Sequence, residues 1–379
     1  MAISRAAYRT AALSTLAAVA LTGCARFDDS ASTPFTPVPT FSAGDVEPRS
    51  PGTPPPTTTP GETTTEPAPC VDPDPAVIAT CLDTTASVTM LPGGQSALVT
   101  ERRTGRILRV APGAPVQEVA RVAVDGSGDG GLLDIALSPT YAEDNLLYAY
   151  ITTAGDNRVV RVAPGDTPKD VLTGIPRGAR GNAGALVFTG PSELAVLTGN
   201  AGNPAAATDP ASLAGKLLRV TGLTPAQDHP APQVLLSGIG TAGDVCVNPL
   251  GGGVWVTDRT VLEDRLQRVA ADGATGTPVW TWPDRPGVAG CTAVDGGVAV
   301  ALGDGKALAV LPIDGRTGAA QAAPSLIAQE KYGRLGGAAL GANSEVWVST
   351  VNRSGGEAPG PNDDRVVRIP APQGGGGFD

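Results

Sequence analysis

Between Leu91 and Ile369 the chain alternates short apolar runs with turns rich in Gly, Pro, Asn and Asp. The stretch from Gly181 to Val220 shows the pattern most clearly. An apolar run at Ala185–Phe188 turns at Gly190-Pro191-Ser192, a second at Leu194–Leu197 turns at Gly199-Asn200, and the stretch closes on Lys216-Leu217-Leu218-Arg219-Val220. Runs this short, broken by residues that supply turn conformations, predict β-strands rather than helices. The closing pentad recurs as Arg106–Val110, Arg158–Val162, Arg265–Val269, Lys306–Val310 and Arg365–Ile369, and each copy follows another apolar strand. Successive copies start 52, 58, 49, 41 and 59 residues apart. That period suits four-stranded propeller blades, which bury both faces against their neighbours. The pattern therefore predicts an all-β, six-bladed propeller over residues 70–370. The repeated Arg and Lys are expected to be solvated charges on the outer face.

The N-terminus reads differently. Arg5 and Arg9 precede an apolar run from Ala11 to Leu21, which is short for a membrane span and suits a signal peptide over residues 1–23. The run ends in Leu21-Thr22-Gly23-Cys24, which resembles a lipobox with Cys24 as the lipid-attachment residue. Residues 24–69 are then rich in Pro, Thr and Ser, too poor in apolar surface to offset their ordering entropy. They predict an extended tether that holds the propeller off the extracytoplasmic face of the cell membrane. Residues 371–379 read as a Gly-rich tail.

Composition supports this reading and narrows the partners. The 50 Gly and 36 Pro disfavour a mainly helical chain. A formal net charge of −10 leaves no electrostatic footprint for nucleic acid. Cys70, Cys81, Cys246 and Cys291 follow Cys24, and an even number in an exported chain predicts disulfides. Three pairings are open, and the expected one joins Cys70 to Cys81 and Cys246 to Cys291. Their spacing matches no zinc motif.

The loops resemble those of the soluble quinoprotein glucose/sorbosone dehydrogenase family. The resemblance rests on Gly128-Asp129-Gly130-Gly131-Leu132-Leu133, on Asn145–Tyr150, on Leu98-Val99-Thr100-Glu101-Arg102, and on Gly199–Val220. With its lipobox and tether, the chain also resembles a mycobacterial envelope lipoprotein of this fold. The resemblance implies pyrroloquinoline quinone and calcium as cofactors, an aldose as substrate, a His as base, an Asp to orient it, and Arg and Asn side chains around the quinone. It also places those roles on residues that lack the chemistry. The base position is Gly181, the orienting carboxylate is Asn200, a guanidinium position is Gly240, and of an Arg pair Arg334 remains while its fellow is Gly336. Neither Gly nor Asn can accept the hydroxyl proton in alcohol oxidation.

The expectation is therefore a non-enzyme with no catalytic residues and no cofactor, its candidate pocket formed by Asn182, Asn200, Gly240, Thr241 and Arg334. The partner is an envelope ligand or protein. The alternatives are a working quinone-dependent sugar dehydrogenase with a divergent site, and a purely structural envelope module. The single His, His229, reads as a surface-loop residue, and no triad, nucleophile elbow or Walker loop accompanies it. Asp125 and Asp129 offer a weak calcium site without the later Glu of an EF-hand loop, so a tight turn between blades is the stronger reading. Asp363-Asp364 reads as a charged turn, and the tryptophans as packing, with Trp280 and Trp282 the residues that a sugar face would use.

Overall fold

Six four-stranded antiparallel sheets form the blades of the propeller. The structure, a computed structural model, describes residues 70–224, 230–247, 253–270, 273, 278–355 and 358–371. The signal peptide, Cys24, the whole tether, His229 and the tail beyond residue 371 lie outside the described residues. The inner strands of blades 1 to 6 are Thr85–Met90, Leu132–Leu137, Gly184–Gly190, Ala242–Val247, Val288–Val294 and Leu335–Leu340. Blades 1 to 5 take their strands consecutively. Blade 6 takes its outermost strand, Val77–Ala79, from the N-terminal side, where it pairs with Val366–Pro370. The two ends of the propeller are thereby sewn into one sheet.

Each blade is a layer between two others, which explains strands that are apolar on both faces. Six buried clusters fill the six seams. Trp255 of blade 4 packs with Val300 and Leu302 of blade 5, and Trp347 of blade 6 packs with Val99 and Leu108 of blade 1. Trp282 is buried in the first of these clusters, edge-on to half-buried Trp280 at 6.4 Å between ring centroids, so both serve packing. Emptying such a seam with one Leu-to-Ala change costs about 2–5 kcal/mol. The disulfides are Cys70–Cys81 and Cys246–Cys291, each with Cα atoms 5.8 Å apart. The second ties the inner strands of blades 4 and 5.

The repeated basic residues differ from the expectation. Only Arg109 among the basic residues of the pentads is exposed. Arg106 pairs with Glu101, which is 1% exposed, at 3.2 Å, and Arg158 pairs with Asp156 at 2.7 Å. Arg265 pairs with Asp258, and Arg365 with Asp363 at 3.1 Å. These pairs pin the turn between the second and third strands. Lys216 is 0% exposed, and its Nζ donates to the carbonyls of Ala206, Ala207 and Ala214 at 3.1, 2.7 and 3.0 Å. Repetition marked a hairpin pin rather than a solvated face. Asp363 and Asp364, read as a charged turn, are likewise buried; Asp364 Oδ1 accepts the Asn352 amide at 2.7 Å.

Candidate functional site

In each blade the inner strand begins, the second strand ends and the third begins at the same end of the propeller. The loops entering the blades and the second-to-third turns therefore share one face. Asp129, Asn182, Asn200, Gly240, Thr241, Asp304 and Arg334 all belong to it.

At Gly181 the chain adopts φ +76°, and the amide donates to Asp129 Oδ2 at 2.6 Å. A Cβ here would stand 2.6 Å from the Gly202 nitrogen and 2.7 Å from Asn200 Oδ1. Asn182, 1% exposed, donates from Nδ2 to Asp129 Oδ1 at 2.6 Å and to the Gly178 carbonyl at 2.8 Å. Its Oδ1 accepts from Gly178 at 2.9 Å and from Asn157 Nδ2 at 3.2 Å. Asn200 spends its Oδ1 on the Gly202 amide at 2.9 Å and its own amide on the Gly240 carbonyl at 2.9 Å. The Gly240 amide is taken by Asp258 Oδ1 at 2.7 Å, and a Cβ on Gly240 would overlap the Arg259 carbonyl oxygen. Thr241 donates its amide to that same carbonyl at 3.0 Å. A Cβ on Gly336 would meet Val351 Cγ1 at 2.6 Å. The glycines are thus filled by neighbouring atoms, not left as holes.

The calcium candidates are committed elsewhere. Asp125 accepts the Ser127 amide at 3.0 Å and Arg177 at 2.8 Å; the hydrogen bonds from Ser127, joined by Arg177, hold its carboxyl down at about 2. Both oxygens of Asp129 already accept N–H donors from residues 181 and 182. Among the described residues no group of three or more His, Cys, Asp or Glu is placed to hold a metal ion.

Behind this face runs a central channel of about 460 Å3, lined by the six inner strands. Of the five candidate pocket residues, none lines it; the corner residues fold into the loops instead, because their polar groups satisfy one another. The channel's charged lining is Asp134, Asp244 and Arg259, which the sequence reading did not single out. Asp134 Oδ2 accepts the Leu186 amide of blade 3 at 2.6 Å, and Asp244 Oδ2 the Cys291 amide of blade 5 at 2.8 Å. Burial raises both carboxyls, and the charge of Asp244 raises Asp134 further. The available signal was an acid inside an apolar strand, at Leu133-Asp134-Ile135 and Gly243-Asp244-Val245.

Two guanidiniums stand at one side of the channel mouth. Arg259, at the end of its strand, donates from Nε to the Val288 carbonyl at 2.5 Å and from Nη2 to the Gly287 carbonyl at 2.7 Å. Arg334 donates from Nη1 to Asp304, while its buried Nε has no hydrogen-bond partner among the described residues.

The model of the glucose/sorbosone dehydrogenase family matches residues 82–236. The aldose sugar dehydrogenase of Streptomyces coelicolor, solved with PQQ bound, is 30% identical and superposes with a TM-score of 0.69, over 77% of this chain and 95% of that one. The chain belongs to the glucose/sorbosone dehydrogenase family. A glucose dehydrogenase-like putative oxidoreductase from Thermus thermophilus is 27% identical, with a TM-score of 0.67 over 77% of this chain and 98% of that one. The soluble aldose sugar dehydrogenase of Escherichia coli, solved in its apo form, shares the fold at 18% identity, with a TM-score of 0.64 over 78% of this chain and 99% of that one. No curated protein sequence matches significantly. Within the family frame, this chain closes the corner around Gly181 with backbone and amide groups.

Proposed function

We propose that this chain is a non-catalytic member of the glucose/sorbosone dehydrogenase family that captures a ligand or a protein at its loop face. The observation that carries this reading is the Gly181 corner. Where the resemblance places a proton acceptor, the chain has a glycine whose Cβ space is taken by Gly202 and Asn200 and whose amide is held by Asp129. A base must reach the hydroxyl proton, and no imidazole could enter here without moving two loops. The residues present do not fit the quinone and calcium pair either. Gly240 and Gly336 are hemmed in where cationic side chains would stand, and Asp125 and Asp129 are committed to protein donors.

The same proposal places the propeller at the cell envelope, anchored to the membrane by lipid on Cys24 and held off by the tether of residues 24–69. No nucleic acid partner is part of it. Among the described residues no helix is long and apolar enough to cross a membrane. The second reading, a sugar dehydrogenase with a divergent site, draws on the PQQ-bound Streptomyces coelicolor relative and on Arg334. Titration with pyrroloquinoline quinone and calcium, followed by aldose-dependent dye reduction, separates the two. Absence of binding and turnover supports capture; turnover with an aldose supports the second reading.

A further inference from the structure

We infer that the central channel is a binding site for a primary ammonium group, seated between Asp134 and Asp244, with the apolar body of its ligand along the channel. The site lies below the loop corner and goes beyond the capture reading, because it stands whether or not the loop face oxidises an aldose.

Asp134 and Asp244 are each the third residue of an inner strand, in blades 2 and 4, so both line the channel at one level. Backbone amides fix the two carboxyls. Asp134 accepts the Ile135 amide at Oδ1 and the Leu186 amide at Oδ2, at 2.8 and 2.6 Å, and Asp244 accepts those of Val245 and Cys291, each at 2.8 Å. A carboxylate oxygen has two lone pairs, so acceptor sites remain after these bonds. Thr292, which follows the Cys291 amide, lines the same channel at 9% exposure, and its hydroxyl has no hydrogen-bond partner among the described residues. An ammonium group carries three N–H donors and no acceptor, which suits two carboxylates and a hydroxyl.

The surrounding charges leave the counter-ion to come from outside. Among the described residues the strands packed against these two carry Glu101, Glu193, Asp258 and Arg259. The three acids are paired with Arg106, Arg219 and Arg265 of their own blades, and Arg259 is held by the carbonyls of Gly287 and Val288 nearer the mouth. Burial, joined at Asp134 by the charge of Asp244, holds protons on both channel carboxyls, and an ammonium group brings positive charge in their place.

The lining selects the class of cation. Among the described residues no group of three or more His, Cys, Asp or Glu is placed to hold a metal ion, and no aromatic ring lines the channel to cage a quaternary ammonium. Leu133, Ile135, Val187 and Leu340 suit an alkyl chain instead. A channel of about 460 Å3 with an apolar wall and a few convergent polar groups is the form that small-molecule sites take.

The test is calorimetric titration of the full-length chain with n-hexylammonium chloride, in amine-free buffer at pH 8.5 and pH 5. Hexanol is the uncharged control, tetramethylammonium the cation without N–H donors, and calcium the metal ion. The expected result is saturable binding of hexylammonium at pH 8.5 in preference to all three controls. At pH 5, where both carboxyls keep their protons, it should be weaker by about 10-fold or more. Asp134→Asn and Asp244→Asn should each weaken binding at pH 8.5 about 10-fold or more, the effect of removing a charge-assisted bond. Thr292→Val, nearly the same size, should weaken it about 3-fold and is the variant least liable to disturb folding. Absence of hexylammonium binding at both pH values overturns the inference. So does equal affinity at the two pH values, a preference for any control, or affinity unchanged in both Asp variants while their melting curves match the parent. No arm uses quinone or aldose, so failure of the channel site and failure of the capture reading are distinguishable.

Discussion

The last two residues of the strand Val254–Arg259 carry opposite charges into different surroundings. Asp258 is fully buried, pairs with Arg265 and also receives the Gly240 amide, so its charge is matched within the hairpin. Arg259, one residue on, lines the channel and meets carbonyl oxygens rather than a carboxylate. Alternation along a strand sends successive side chains to opposite faces, so one step of sequence separates the framework from the site. The hairpins repeat the first arrangement around the ring, in Glu101–Arg106 and Asp363–Arg365. The channel repeats the second with the sign reversed, in Asp134 and Asp244, which accept amides and, among the described residues, form no ion pair. Compensated charges hold this propeller together, and uncompensated charges gather along the central channel.

The largest effect should come from breaking a compensated pair. Asp258→Ala leaves Arg265 without its carboxylate and the Gly240 amide without its acceptor, and should lower the unfolding free energy by about 3–5 kcal/mol in urea titration. A loss below about 1 kcal/mol would show that the hairpin pins are incidental. Next comes Gly181→His, which restores an imidazole at the position assigned to the base. The positive φ and the contacts from Gly202 and Asn200 should cost about 1–3 kcal/mol, with no gain in aldose-dependent dye reduction. Appearance of turnover would mean that only one residue separates this chain from an enzyme.

Smaller effects belong to the uncompensated groups. Burial raises Asp134 to about 8 and Asp244 to about 6, above the ordinary value of 3.8. The folded chain therefore binds protons more tightly than the unfolded one. The stability this lends is fully present below about pH 4 and is lost as pH rises through about 6 to 8. Asp134→Asn keeps the size of the side chain and removes its charge. Its melting temperature should fall between pH 5 and pH 8 by roughly 2–4 °C less than that of the parent chain. Parallel pH profiles for the two would refute the assignment. The smallest effect should be that of Arg259→Gln on stability, within about 1 kcal/mol, because its hydrogen bonds go to backbone carbonyls and, among the described residues, no carboxylate is left unpaired by its loss.

Much of the framework was legible in the sequence because it repeats. The pentads from Arg106 to Ile369 gave away blade number, and the two disulfides followed the expected pairing. The same repetition misled on the charges: Arg265 and Lys216 looked like solvated outer residues because a linear pattern shows a period without showing a partner. The site was less legible for a related reason. Asn182 reads as a ligand-facing amide until its bonds to Gly178, Asn157 and Asp129 are seen to use it up. Arg259 has no motif of its own, and a linear pattern does not show that the stacking of successive blades brings Gly303 and Arg334 beside it. A charge inside an apolar strand, as at Asp134 and Asp244, was visible, but the shared channel was not.

The central claim is that the loop face binds without oxidising. It is tested most directly by calorimetric titration of the full-length chain with pyrroloquinoline quinone in the presence of calcium, followed by dye reduction with aldoses on the same sample. The account predicts no tight quinone binding and no aldose-dependent reduction. Tight binding with turnover would contradict it and show that the remodelled corner at Gly181 still supports oxidation through another base.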